Sequence, residues 1–156
     1  MARWISLVGM VAGAVGIFFG FYYLANAPRT SLGIVTVTTV GIVGVLAFVR
    51  HVLFHKSDAE RLGWETDRPD WMFEVGFANL AFGFMGFMTV FAEWGTQAQA
   101  LVLLGYSLYL FQAALLHGYR YFTDEERSRA RLWRSVLATL LYAGMMTFFA
   151  VHALLA

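Results

Sequence analysis

Five long apolar stretches constrain this chain more than any other feature. Each approaches the roughly 20 mostly apolar residues that a helix needs to cross a bilayer. Backbone polar groups in lipid must be satisfied internally, so the stretches predict α-helices. We therefore expect an all-α integral membrane bundle of five transmembrane helices, forming one domain over residues 1–156. The expected spans are about 5–24, 31–51, 71–94, 97–120 and 132–155, with loops at 52–70 and 121–131.

Composition agrees with a membrane protein and excludes several other classes. Hydrophobic residues make up 60% of the 156 residues and charged residues only 13%, whereas soluble domains average about 45–50% apolar and about 25% charged. The 11 Lys and Arg residues nearly balance the 10 Asp and Glu residues, which disfavours a nucleic-acid partner. The absence of cysteine excludes disulfides, Fe–S ligation and thiol catalysis. The lipid bilayer is therefore the expected partner.

Two short segments predict breaks between spans. Pro28 cannot continue the first helix, and Thr30 or Ser31 is expected to cap the second. Trp94–Thr96 predicts a tight turn, with Gly95 at a helix C-terminus. The first stretch also resembles a secretory signal ending in an A-x-A site. Its length of about 20 residues exceeds the 7–15 of a signal core, which favours a retained span.

Basic residues predict the orientation, because cytoplasmic loops carry an excess of Lys and Arg. With five spans the termini lie on opposite sides, and ten of the 11 basic residues fall on the side of the N-terminus. These are Arg3, Arg50, Lys56, Arg61, Arg68, Arg120, Arg127, Arg129, Arg131 and Arg134, whereas Arg29 lies alone on the other side. We therefore expect a multi-pass protein of the inner (plasma) membrane with a cytoplasmic N-terminus and an outside C-terminus.

Four glycines of the first span lie on one helical face. Gly9, Gly13, Gly16 and Gly20 follow the spacing i, i+4, i+7, i+11. Small residues let transmembrane helices approach closely. Packing within the bundle is the favoured interpretation. The alternative is that this face joins a homo-oligomer or a larger membrane complex.

Few ionisable residues fall at span depth, and such residues are functional hypotheses by default. Glu74, His117 and His51 are expected at one depth near the cytoplasmic boundary, on three helices. Asn79 lies deeper, where its amide needs a hydrogen-bond partner. These four residues form the predicted polar or ion site. A polar path could be extended by Tyr106, Tyr109, Gln112 and Tyr142.

Three interpretations of this site stay open. In the structural one, which is favoured, Glu74 pairs with Arg50, Arg120 or Arg134. In the second, Glu and His form a proton or ion relay of a small transporter or channel. In the third, a metal ion or haem is bound; the candidate ligands are His51, His55, Glu74 and His117. Of the functional hypotheses we prefer the transporter narrowly, over the metal or haem module and a non-catalytic accessory subunit of a larger complex.

Catalytic signatures are missing from the sequence, which disfavours an enzyme. It has no P-loop, no G-x-S-x-G and no G-x-G-x-x-G after a strand, and its one lysine, Lys56, lies in a loop. In the 52–70 loop, mixed charges such as Asp58 are typical of a solvated face, and Ser57 with Glu60 predicts a capped short helix. Thr123 with Glu126 predicts the start of the last helix.

The middle of the chain resembles a known family. The residues that carry the resemblance are Gly63-Trp64, Pro69, the run Phe73-Glu74-Val75-Gly76-Phe77-Ala78-Asn79-Leu80-Ala81-Phe82-Gly83, and His117-Gly118. They resemble the signature of a family of small prokaryotic membrane proteins classed as a domain of unknown function. The resemblance covers about residues 60–120. It implies a multi-spanning bundle, implies no activity, and includes Glu74, Asn79 and His117.

Overall fold

A computed structural model describes residues 1–64, 67–123 and 132–155. Within these ranges the regular elements are all helices, and five of them are long and apolar enough to cross a membrane. The helices are α1 (Ala2–Tyr23), α2 (Pro28–Leu53), α3 (His55–Leu62), α4 (Asp70–Phe91), α5 (Thr96–Thr123) and α6 (Trp133–Leu155). The predicted all-α fold with five membrane-spanning helices is confirmed.

Helix α2 is the central helix of the bundle. In its most apolar stretch 44% of the residues are buried, against 22–28% in the other four spans. It packs against α1 and α4 along most of its length, while α5 packs mainly against α6. The apolar core joins α2, α5 and α6, with Val35, Leu103 and Phe149 among its members. Because α2 is surrounded by other helices, several of its polar side chains are buried, among them Ser31, Thr36 and Thr39.

The outer surfaces of the other long helices are apolar. Phe18 of α1, Phe84 of α4, Leu101 of α5 and Leu141 of α6 are each at least 60% exposed. Large apolar side chains on four separate helices cover far more surface than a soluble monomer exposes. The protein is therefore a multi-pass membrane protein whose outer faces meet lipid.

Two helix ends differ from the expected ones. Helix α2 begins at Pro28 with Ala27 as its N-cap, so neither Thr30 nor Ser31 is the cap. Proline fits the first helical position, where no intrahelical donor is needed. The predicted tight turn before α5 is present, but α4 ends at Phe91 with Ala92 as its C-cap. Both Glu93 (φ 53°) and Gly95 (φ 94°) have positive φ angles.

At the other end of the bundle, α5 continues through Thr123 instead of ending at residue 120. The expected capping pair Thr123–Glu126, and most of the expected 121–131 loop, lie outside the described residues.

The glycine face of α1 is filled by the same chain. All four glycines are buried. A Cβ at Gly13 would collide with Tyr142 of α6, one at Gly16 with Thr38 of α2, and one at Gly20 with Val35. Three of the four glycines therefore lie in close contact with other helices of the same chain.

Helix α2 contains two π-helical stretches, Thr36–Ile42 and Val49–Leu53. The second closes with the Phe54 N–H donating to the Val49 carbonyl at 3.1 Å, five residues back. A π-turn inserts extra residues into a helix and so re-aims the side chains that follow; such turns are frequent at functional sites. This one carries Arg50 and His51, and at Phe54 the chain leaves α2 and starts α3.

Candidate functional site

The short helix α3 is held against the start of α1. The expected helix in this loop is present, but its N-cap is Phe54 and not Ser57. Phe54 makes no side-chain hydrogen bond to the start of the helix. Ser57 instead accepts a hydrogen bond from the Ala2 backbone N–H at 3.3 Å, one of the donors that a helix start leaves unsatisfied. At its other end α3 closes with left-handed Gly63 (φ 68°), and the Trp64 N–H donates to the Ala59 carbonyl at 3.0 Å. Both ends of α3 are thus fixed.

This placement buries Asp58 beside the end of α2. We call Arg50, His51, Asp58 and Arg61 the Asp58 cluster. The Asp58 side chain is 0% exposed. Its Oδ1 accepts from Arg61 Nη2 at 2.7 Å and Nε at 2.8 Å, while its Oδ2 lies 2.8 Å from His51 Nδ1 and 3.4 Å from Arg50 Nε. One carboxylate therefore joins two guanidinium groups and an imidazole. The expectation of a solvated Asp58 is wrong, because α3 folds back onto α2.

The hydrogen bonds assign the proton on His51. Arg50 Nη2 lies 3.0 Å from His51 Nε2, and a guanidinium can only donate. Nε2 must therefore accept, which puts the ring proton on Nδ1, the atom that faces Asp58. The Nδ1–H is not aligned for a hydrogen bond with Oδ2, so we describe the 2.8 Å approach as an electrostatic contact. With His51 neutral, two guanidinium groups and one carboxylate leave the cluster with one excess positive charge.

The carboxyl of Asp58 is held ionised. Burial by itself raises its pKa, but the contact with His51 and the charges of Arg50 and Arg61 outweigh that effect and lower the pKa to about 2. An opposite charge within a few ångströms favours the ionised form. The charge of Asp58 is therefore constant through the physiological pH range.

A second polar group lies near the middle of α4. Asn79, 3% exposed, is nine residues into α4, about 14 Å along the helix axis. Its Oδ1 accepts from the Tyr106 hydroxyl at 2.7 Å, and its Nδ2 donates to the Tyr109 hydroxyl at 2.9 Å and to the Val75 carbonyl at 2.8 Å. We call these three side chains the Asn79 network. Tyr106 and Tyr109, both on α5, supply the hydrogen-bond partners that a buried amide requires in lipid.

The Asp58 cluster and the Asn79 network are close to each other. Arg50 belongs to the cluster and lies within electrostatic range of the Tyr106 and Tyr109 hydroxyls. A Cβ placed on Gly76, three residues before Asn79, would be 3.3 Å from the His51 Cβ. The missing side chain at Gly76 thus lets α2 approach α4 where the two groups meet. Polar groups consequently extend from α3 into the interior of the bundle.

The three ionisable residues that were expected to converge, Glu74, His51 and His117, do not form one group within the described ranges. Glu74 is exposed, and because residues two apart on a helix point in opposite directions, it faces away from the Gly76 side that contacts His51. The His117 ring stacks on Trp64 at 4.9 Å with an interplanar angle of 16°. His51 is therefore in the Asp58 cluster, Asn79 in its own network, and Glu74 and His117 in neither.

The arrangement of histidines and carboxylates does not resemble a metal centre. His55 contacts the Val52 carbonyl through Nδ1 at 3.0 Å and packs edge-on against Phe73. In the described part of the chain, no three His, Asp or Glu side chains form a group that could hold a metal ion. The donor set proposed from the sequence, His51, His55, Glu74 and His117, is not assembled.

Sequence reasoning missed Asp58 and Arg61. Their i, i+3 spacing is a local signal of an ion pair, but a solvated pair on a surface helix has the same spacing. The deciding feature is the turn at Phe54. It brings Asp58 into contact with His51, seven residues earlier, and with Arg50, eight residues earlier.

These features define a membrane protein with five long apolar helices and a buried ionised cluster at one end of its central helix. The chain belongs to the family of unknown function DUF6790, which matches residues 3–154. The resemblance to a family of unknown function is thus confirmed, and the match extends beyond the middle of the chain. No curated protein and no solved structure matches the chain.

Proposed function

We propose that this protein is a small channel-like transporter for anions, with the Asp58 cluster at the entrance of its path and the Asn79 network inside. The observation that carries the proposal is the fixed excess positive charge of the cluster next to hydroxyl and amide groups in the bundle interior. Buried charges in membrane proteins mark ion pathways. Arginine side chains are the usual lining of anion pores.

The chemistry of the path favours an anion over a proton. Tyrosine hydroxyls, an asparagine amide and a guanidinium can all donate hydrogen bonds. A proton relay instead uses groups that titrate near neutral pH, and Asp58, with a pKa of about 2, stays ionised there. The Tyr106–Asn79 hydrogen bond of 2.7 Å lies across the proposed path. Passage of an anion therefore requires the two tyrosine hydroxyls to turn away from Asn79.

The flux experiment uses purified protein in liposomes loaded with chloride, nitrate or formate. Wild type should release at least one of these anions faster than protein-free liposomes. Tyr106→Phe removes only a hydroxyl, and a hydrogen bond to a charged group contributes about 1.5–3 kcal/mol. Flux at limiting anion concentration should consequently fall at least about tenfold.

Tyr22→Phe is the matched control. Tyr22 is 66% exposed on α1, so this substitution removes the same hydroxyl group far from the path. The proposal is overturned by wild-type flux no higher than that of empty liposomes. Equal flux in the Tyr106→Phe and Tyr22→Phe variants also overturns it.

We further propose a cytoplasmic N-terminus in the inner membrane, from the ten-to-one distribution of basic residues. The chain has no cysteine, so Lys56→Cys introduces a single thiol in α3. In intact cells, a reagent that cannot cross the inner membrane should leave this thiol unlabelled. It should label the thiol once the membrane is opened. Labelling in intact cells would place α3 outside and reverse the orientation.

A further inference from the structure

A groove lies at the end of the bundle opposite the Asp58 cluster. It has a volume of about 520 Å³ and opens between the start of α2, the end of α4 and the start of α5. Its walls are mainly apolar, with Ile34 and Val37 on one side and Val90 and Phe91 on the other. The absence of a side chain at Gly33 leaves room in the groove, since a Cβ there would contact Val90 at 3.7 Å. The groove has an apolar lining that suits an acyl chain.

One cation stands at the mouth of the groove. Arg29 is exposed and, within the ranges that the structure describes, forms no ion pair, including with Glu93 in the nearby turn. It is the one basic residue among the turns at this end of the bundle. Helix α2 begins beside it with Ala27 as N-cap and no side-chain cap. The backbone donors and positive dipole end of α2 therefore add to the Arg29 charge.

A polar side chain inside the groove is not fully satisfied. Gln99 donates to the Thr89 carbonyl at 3.4 Å, but its Oε1 is buried and has no hydrogen-bond partner. The groove thus combines an apolar wall, a cationic mouth and a buried, unpaired acceptor. A phospholipid offers the matching parts, namely an acyl chain, a phosphate and glycerol or headgroup hydroxyls.

We propose that this groove is a binding site for an acidic glycerophospholipid such as phosphatidylglycerol. The acyl chain lies along Ile34, Val37 and Val90, and the phosphate binds at Arg29 and the start of α2. The unbalanced charge of Arg29 favours an acidic headgroup over a zwitterionic one, because a basic side chain near a membrane surface attracts anionic lipid. The site is at the opposite end from the Asp58 cluster and does not depend on the proposed transport.

Native mass spectrometry of the full chain tests the site. The protein is released from micelles that carry equal amounts of phosphatidylglycerol and phosphatidylcholine. Wild type should retain phosphatidylglycerol preferentially. Arg29→Gln should reduce that preference about fivefold, the effect of one arginine near a membrane surface. Gly33→Leu should fill the groove and reduce retention of both lipids.

Arg3→Gln is the matched control, because Arg3 is an exposed arginine at the other end of the bundle. It should leave lipid retention unchanged. Equal retention of the two lipids by wild type overturns the proposal, as does an Arg29→Gln variant that behaves like Arg3→Gln. Arg29 is exposed, so its substitution should not impair folding, and a thermal unfolding measurement checks this.

Discussion

Replacing Asp58 by asparagine should lower the free energy of unfolding by about 3–5 kcal/mol, the cost of removing one partner from a buried ion pair. The substitution keeps the shape of the side chain and removes its charge. Arg50 and Arg61, only 21% and 26% exposed, would then face each other and His51 without a counter-charge. Because α3 is joined to α2 mainly through this carboxylate, we expect α3 to detach first. Unfolding by sodium dodecyl sulfate, followed by circular dichroism, measures the loss.

Glu60→Gln is the control for this substitution. Glu60 lies two residues further along α3, is exposed, and undergoes the same loss of a carboxylate charge. Its unfolding curve should match that of wild type within about 0.5 kcal/mol, as expected for surface changes. Equal curves for the Asp58→Asn and wild-type proteins would show that the cluster contributes nothing net to stability.

The Asp58 carboxyl should also make stability depend on pH. Its pKa in the folded protein is lowered to about 2, against about 3.9 for an unfolded chain. A lowered pKa stabilises the folded state above the unfolded value, and this contribution of about 2–3 kcal/mol is lost as the pH falls from about 4 to 2. Between those values wild type should lose more stability than Asp58→Asn, which lacks the group. Parallel losses would assign the acid sensitivity to other residues.

Alanine at Gly44 should separate α2 from α4. A Cβ at this position would lie 2.6 Å from the Asn79 carbonyl oxygen and 2.9 Å from both the Cα and N of Gly83. All three neighbours are backbone atoms, so no side chain can turn aside. Overpacking of this kind costs about 1–3 kcal/mol. We expect the variant to lose that stability and to lengthen the contacts of the Asn79 network.

Gly144→Ala supplies the matched control. It is the same substitution within a membrane-spanning helix, α6, but a Cβ there meets no atom within 4 Å. Alanine favours helix by about 1 kcal/mol over glycine, so this variant should be at least as stable as wild type. If both alanine variants unfold at the same detergent fraction, the close approach of α2 and α4 does not contribute to stability.

The sequence predicted some residues of the candidate site but not their contacts. Asn79 was predicted to need a partner, since an amide at that depth has no water, and its partners are Tyr106 and Tyr109. His51 was selected by its depth, but its contact with Asp58 was not. The expected convergence of Glu74 with His51 and His117 rested on depth alone, and depth does not say which way a side chain points around its helix.

The sequence by itself determined that this chain crosses a membrane five times. That result follows from local quantities, namely the length of each apolar run and the need of every backbone group in lipid for an internal partner. Only the tertiary structure decided where the charge lies. The turn at Phe54 brings α3 back onto α2 and buries Asp58 between Arg50 and Arg61. Such a contact depends on how two helices meet, and the same residues would be an ordinary solvated surface if α3 pointed away.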